Sequence, residues 1–220
     1  MPEGRLYIGT RRYSSWSLRG WLSVHLAGLD VEDVVISLEG GGPDSQVART
    51  TPSGLVPYLE HRGLKVWDSL AIAEYCAELA PHLWPETLEA RTHARTIAAE
   101  MHSGFRALRQ SMPMVLGRTA PGAGQTPASL ADIARVETLW RDTRQAHGHS
   151  GPYLFGARFT NADAMFAPVV ARFQTFQPPI APDTKAYCAA ILAHPLMQQW
   201  YADAAQEPLA WRLDHYETSQ

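Results

Sequence analysis

Residues Thr50–Leu79 read TTPSGLVPYLEHRGLKVWDSLAIAEYCAEL, and this stretch decides the fold. Gly54 punctuates a bend, after which Val56–Leu59 and Leu64–Trp67 form two short apolar runs separated by little more than His61, Arg62 and Gly63. Runs this close predict a hairpin of antiparallel strands. Asp68 and Ser69 then stand where a helix cap is expected, because Leu70, Ala73, Cys76 and Leu79 behind them share one helical face. A strand edge beside a helix start suits a small carboxylate or thiol ligand.

Working outward, Leu6–Gly9 is long enough for a strand. Trp16, Leu18, Trp21, Leu22, His25 and Leu26 recur at three- and four-residue spacing, predicting a helix with Ser14 or Ser15 as N-cap and Gly28 as its stop. Asp33–Leu38 is β-branched and completes a strand-helix-strand unit with a parallel pair. Glu39–Ser53 is a Gly- and Pro-rich loop with one helical turn near Gln46–Arg49. Residues 1–80 therefore read β-α-β-loop-β-β-α, a compact α/β domain.

Two prolines in Ala80–Pro85 mark 81–85 as a linker, and beyond it strand patterns vanish. Residues 86–220 are expected to be an all-helical domain of about five helices. Thr87 to about Val115 reads as one long helix with Ile97, Met101, Phe105 and Leu108 on its stripe. Thr126–Pro127 starts a second, running to about Ala146, with proline at the first helical position. Thr160 and Asp163 form a variant capping box for a helix apolar almost all round (Met165, Phe166, Val169, Val170, Phe173), which should be central and buried. Asp183–Ala193 and Pro195–Ala205 close the pattern.

Composition excludes several classes. With 19 Lys and Arg against 22 Asp and Glu the chain has a net charge of −3 and no basic stripe, so nucleic acid is not an expected partner. No run of eighteen apolar residues predicts a membrane span, and no signal peptide is evident at MPEGRLYIGT. Cys76 and Cys188 are far apart in helix-like patterns and read as buried reduced thiols of a cytoplasmic protein. His147-Gly148-His149 sits in a turn without acidic or Cys companions, so no metal is expected.

Three segments together carry a family resemblance: YSSWSLRGWL at the first helix, TPSGLVPYL with WDSLAIAEYCAEL in the centre, and FTNADAMFAPV at the capped helix. The chain resembles the cytosolic glutathione transferases over its whole length. Within them it is similar to a bacterial serine-type branch near the zeta-like enzymes, since HSGFRALRQ resembles the Ser-Gly segment of the zeta fourth helix. The resemblance implies a thioredoxin-like N-terminal domain, an all-helical domain contributing an electrophile pocket, glutathione as co-substrate and a homodimer. It implies a transferase of alkyl or aryl groups acting on a small-molecule electrophile, with isomerisation, dehalogenation or a non-catalytic binding role as alternatives. No cysteine lies between residues 5 and 20, which disfavours a thiol-disulfide reductase.

The same resemblance assigns residues. A hydroxyl at the end of the first strand should face the bound thiol, and Ser14 is the first choice, Ser15 the second and Tyr13 the third. Gapless alignment on Arg19 would instead put Arg12 at that position. A free thiol of pKa about 8.5 is only a few per cent thiolate at neutral pH. A hydrogen bond to a charged group is worth roughly 1.5–3 kcal/mol, against at most about 2 kcal/mol from a helix N-terminus, so the hydroxyl contributes more than the helix does. Serine then donates to sulfur and needs no histidine base. Val56 should pair with the cysteinyl backbone ahead of a cis Pro57, while Leu55 departs from the Gln or Lys common there. Ser69 would receive the γ-glutamyl carboxylate and Asp68 the α-ammonium. Arg12 joins the glutathione set, and Trp16, Met101, His102 and Phe105 are weaker candidates for the electrophile pocket.

Overall fold

The structure is a computed structural model that describes residues 2–39 and 42–218. Gly40 and Gly41, within the expected Gly-rich loop, lie outside the described residues. Strand β1 (Gly4–Gly9), helix α1 (Ser15–Leu26), strand β2 (Val31–Ile36), helix α2 (Gln46–Thr50), strands β3 (Tyr58–His61) and β4 (Leu64–Val66) and helix α3 (Ser69–Leu79) come first. The sheet order is β2-β1-β3-β4. β1 runs parallel to β2 and antiparallel to β3, and β3 pairs antiparallel with β4.

Strand ends differ from the sequence reading for identifiable reasons. Pro57 has no N–H to give the ladder, so pairing in β3 starts at Tyr58 opposite Tyr7 rather than at Val56. β1 begins at Gly4 and takes Val31 as its first partner, which moves β2 two residues earlier than expected. Leu38 is thereby free to fold over Gly9, where a Cβ would lie 2.7 Å from its Cδ2. Gly20, inside α1 at a helix cost of about 1 kcal/mol, lets Pro57 come as close as 2.8 Å to where its Cβ would be. Two glycines thus bring the Val56–Pro57 step against both β1 and α1.

The helical region contains α4 (Leu88–Ser103), α5 (Arg106–Ser111), α6 (Pro127–His147), α7 (Asn161–Phe176), α8 (Pro182–Ala193), α9 (Pro195–Gln206) and the single turn α10 (Asp214–Glu217). The one long helix expected over Thr87–Val115 is two. Gly104 is extended and Phe105 is left-handed at φ 58°, and this breaks the chain between α4 and α5. Met101, Phe105 and Leu108 all remain in the core across the break, which is why the apolar spacing looks continuous. Residues 81–85 hold a 3-10 turn, Pro81–Leu83, and bury Leu83 and Trp84. A second such turn, Leu209–Trp211, and α10 follow the last helix that the sequence pattern indicates.

α7 is buried along nearly its whole length, as its pattern predicts. It packs on α1, α4 and α8. Asn161 Nδ2 donates to Ala73 O of α3 at 2.9 Å, tying the helical region to the sheet region. The helix ends on Gln177 at φ 47°, exposed and left-handed. Gln177→Gly should raise unfolding stability by about 0.5–1 kcal/mol by removing the Cβ clash, measured as a shift in urea midpoint. A midpoint that falls would show that the side chain contributes more than the strain costs.

Candidate active site

The turn from β1 into α1 is held from far along the chain. Glu207, just past α9, accepts from the Arg11 and Arg12 N–H groups at 2.6 and 3.3 Å. Trp200 Nε1 donates to Arg11 O at 3.2 Å. Burial pushes the Glu207 carboxyl above its ordinary value, while those two N–H bonds and the nearby guanidinia pull it back. The turn's peptide groups are therefore partnered before any ligand arrives.

Ser14 is the N-cap of α1, accepting from Ser17 N at 3.3 Å. Its hydroxyl also donates to Ser17 Oγ at 2.7 Å, which already receives Gly9 N at 3.0 Å. A serine hydroxyl carries one proton, and here it is engaged. Ser15 is the first residue of α1, 8% exposed, and among the described residues its hydroxyl has no partner. Tyr13 donates to Glu217 Oε1 at 2.5 Å, and burial followed by that carboxylate pushes its phenol above the ordinary value. Arg12 is bidentate to the same Glu217, at 2.7 and 3.1 Å.

A cleft of about 930 Å³ opens here, within the size range of small-molecule sites. Ser14, Ser15 and Trp16 contribute one part of its wall, and Leu55 and Val56 another. Val56–Pro57 is cis, as the family resemblance implies. Neither the N–H nor the C=O of Val56 has a partner among the described residues, so a strand edge is left open to the cleft. Leu55, 69% exposed, offers only apolar surface where a polar side chain is common in the family.

Asp68 and Ser69 lie outside the cleft's lining and connect to it through Trp16. Asp68 caps α3, with Oδ1 accepting from Leu70 and Ala71 N–H at 3.0 and 3.4 Å. Its Oδ2 faces His102 Nε2 at 3.1 Å, and the His102 ring meets Trp16 edge-on at 5.2 Å. Burial pushes the His102 imidazole below its ordinary value, although Asp68 pulls it up. Ser69 is fully buried, and among the described residues its hydroxyl has no partner. Met101 and Phe105 sit in the hydrophobic core and do not line the cleft.

The wall from the helical region is cationic. Arg109 of α5 stacks over Trp16 at 4.2 Å, and Arg19 of α1 over the same ring at 4.6 Å. Arg172 of α7 lines the cleft although only 3% exposed, with Nε and Nη1 donating to Met112 O and Pro168 O. Among the described residues none of these three guanidinia has a carboxylate within 4.0 Å. Burial, with Arg109 nearby, pushes Arg172 down to about 9. Arg19 is buried with Nε and Nη1 unpartnered among the described residues, and its desolvation lowers it well below the usual range. Arg172 has a trace in the sequence as the lone cation in an apolar helix; Arg109 has none. Among the described residues no group of three or more His, Cys, Asp or Glu could hold a metal. No helix among them is long and apolar enough to cross a membrane.

Comparison with known proteins places this geometry. A family model for the glutathione S-transferase N-terminal domain matches residues 13–79, and one for the glutathione S-transferase C-terminal domain matches residues 93–203. The chain is 30% identical over 183 residues to maleylacetoacetate isomerase of Rattus norvegicus, covering 80% of this chain and 81% of the relative. Its fold is similar to that of a glutathione transferase homolog from Burkholderia GL BGR1 with bound glutathione, at TM-score 0.71 and 23% identity over 94% of this chain and all of the other. It is also similar to the holo structure of a maleyl pyruvate isomerase, a bacterial zeta-class glutathione S-transferase, at TM-score 0.69 and 22% identity over 93% and 99% of the two chains. With both family models matched in order and the thioredoxin-like sheet followed by helices, the chain belongs to the glutathione S-transferase family.

Proposed function

We propose that this protein is a glutathione-dependent enzyme that holds the thiol of glutathione as thiolate beside Ser15 and presents it to an electrophile bearing a carboxylate. The observation that carries the reading is the juxtaposition, in one cleft, of the unpartnered Ser15 hydroxyl at a helix start and the unpaired backbone of Val56. Val56 can exchange strand-like hydrogen bonds with the cysteinyl residue, which brings its sulfur toward the first turn of α1. The helix N-terminus and the Ser15 hydroxyl both favour the anionic form there. Ser69, with a buried hydroxyl lacking a partner, and Asp68, with Oδ2 facing only a histidine, suit the γ-glutamyl carboxylate and ammonium. Arg12 is bound to Glu217, so its part in holding glutathione is indirect.

Arg109 and Arg172 favour a carboxylate on the second substrate, since cations withdrawn from water, Arg172 almost wholly and Arg109 in part, are stabilised by an incoming anion when they lack counter-ions. They also favour a second reading, isomerisation. The thiolate would add to a carbon of a conjugated double bond, the electron pair moving onto the conjugated carbonyl. After rotation about the new single bond, the pair returns and expels the thiolate unchanged. The names of the rat relative and of the zeta-class structure agree with this chemistry. A dimer is the proposed assembly, on the family's pattern.

Thiol titration separates the two. A cis-configured conjugated keto acid mixed with enzyme and glutathione should change its ultraviolet spectrum with no loss of free thiol if it isomerises. Conjugation consumes one thiol per electrophile. The thiolate's ultraviolet absorbance should appear on binding glutathione at neutral pH, and its absence would sink both readings. Arg109→Gln should raise KM for a carboxylate electrophile about 10- to 100-fold and leave its methyl ester unaffected, as expected for losing one charged hydrogen bond. An equal rise for acid and ester would remove Arg109 from substrate binding.

A further inference from the structure

Asp68 holds its two oxygens out to partners of different kinds. Oδ1 accepts from the Leu70 and Ala71 N–H groups at the start of α3. Oδ2 lies 3.1 Å from Nε2 of His102, in the last turn of α4. The carboxylate is still more than half exposed, so a ligand can reach it. The other ring nitrogen, His102 Nδ1, is buried and among the described residues has no partner. That fixes the proton: Nε2 donates to the carboxylate, and the bare Nδ1 belongs to a neutral imidazole. A second proton would put an N–H at Nδ1 where nothing in the described structure accepts it.

The charges around the ring agree. Asp68 faces it from the start of α3, Arg19 from α1 and Arg109 from α5. Both guanidinia stack on Trp16, whose indole the imidazole meets edge-on, and Arg109 Nη1 also donates to His102 O at 3.2 Å. Burial and the two guanidinia hold the imidazole below its ordinary value, although Asp68 pulls it up. We propose that His102 is a positioning residue for the α-ammonium of glutathione: as a neutral donor it orients Asp68 and leaves the carboxylate's charge for the ligand. An imidazolium there would complete the ion pair itself and repel the ammonium. Binding should therefore be full above about pH 6.5, the ordinary imidazole value, and weaken as pH falls through the lowered value. The sign follows from linkage: a bound ammonium makes protonation of the ring harder, so protons favour the empty site. The inference rests on Asp68 receiving the glutathione ammonium.

Calorimetric Kd values between pH 5 and 7.5 test this with two probes. S-methylglutathione has no thiol to titrate, and its analogue with glutaryl in place of γ-glutamyl lacks only the ammonium. Wild type should bind S-methylglutathione about 3- to 10-fold more weakly at pH 5 than at pH 7.5, which is a shift of up to about one unit in the imidazole on binding. The glutaryl analogue should weaken by less than about twofold, since ordinary carboxylates stay mostly ionised over this range. His102→Gln keeps an N–H donor but takes no proton, and should lose the difference between the two pH values. A wild-type pH profile in His102→Gln, or the same weakening in acid for both probes, would overturn the inference. So would equal affinity for both probes at pH 7.5, which would show the ammonium unread and leave the rest of the glutathione reading standing. If wild type binds neither probe, the glutathione reading itself fails and takes this inference with it.

Discussion

Ser15→Ala should raise the pKa of enzyme-bound glutathione thiol by about one to two units, with little change in glutathione affinity. The size follows from losing a hydrogen bond to a charged sulfur, roughly 1.5–3 kcal/mol at about 1.4 kcal/mol per unit. At neutral pH the thiolate would then fall from a major species to a minor one. Catalytic rate should fall with it and recover as pH rises. Ser14→Ala should behave differently. Its hydroxyl caps α1 and donates to Ser17 Oγ, so its loss should cost about 1 kcal/mol of stability while the thiol pKa stays nearly fixed. The measurement is thiolate absorbance against pH for each variant with saturating glutathione. Should Ser14→Ala move the titration and Ser15→Ala leave it alone, the Ser14 hydroxyl must rotate from Ser17 to sulfur on binding, and the assignment passes to Ser14.

Asp163→Ala should be the most damaging substitution to the fold, lowering stability by about 3–5 kcal/mol, a large share of the roughly 5–15 kcal/mol typical of a protein. The carboxylate is fully buried and receives Leu154 N at 3.1 Å, Thr160 N and Oγ1 at 2.9 Å each, and Tyr187 OH at 3.0 Å. Burial pushes its carboxyl above the ordinary value and those donors pull it back. Alanine leaves the donors buried without partners and leaves a void at the start of α7. That helix holds Arg172 in the cleft, so destabilisation and loss of the cationic wall should appear together. Urea unfolding of Asp163→Ala and Asp163→Asn measures this. The amide keeps acceptor capacity and should lie between wild type and alanine. A stability for the alanine variant within about 0.5 kcal/mol of wild type, the range of an ordinary surface substitution, would show that α7 does not depend on its cap.

Much of the fold could be read because its causes are local. Thr50–Leu79 carried a hairpin and a capped helix in adjacent residues, and both are present with ends shifted by one or two positions. The α7 pattern gave burial directly, since a helix with no polar face has no side to leave in water. The break between α4 and α5 was hidden because Phe105 stays buried in the left-handed region, and apolar spacing reports burial rather than backbone conformation. The helical turn at Asp214–Glu217 was hidden for the opposite reason: four residues have no period to detect, and partners far back in the chain hold them.

In the site the division is sharper. Sequence by itself determined the order of strands and helices, the Val56–Pro57 step, the Asp68–Ser69 cap and the pair of serines that begin α1, because each depends on neighbours within a few residues. Only the tertiary structure distinguished the surroundings of the two serines, setting Ser14 against Ser17 and leaving Ser15 at the cleft without a partner among the described residues, which is what supports the proposal of Ser15. It alone converged Arg19 and Arg109 on one indole, brought Arg172 to the same wall and closed the far end with Tyr216. A hydroxyl's free proton and a guanidinium's missing counter-ion are set by which distant groups come within about 3 Å. Those groups lie up to about two hundred residues away along the chain, beyond the reach of any local pattern.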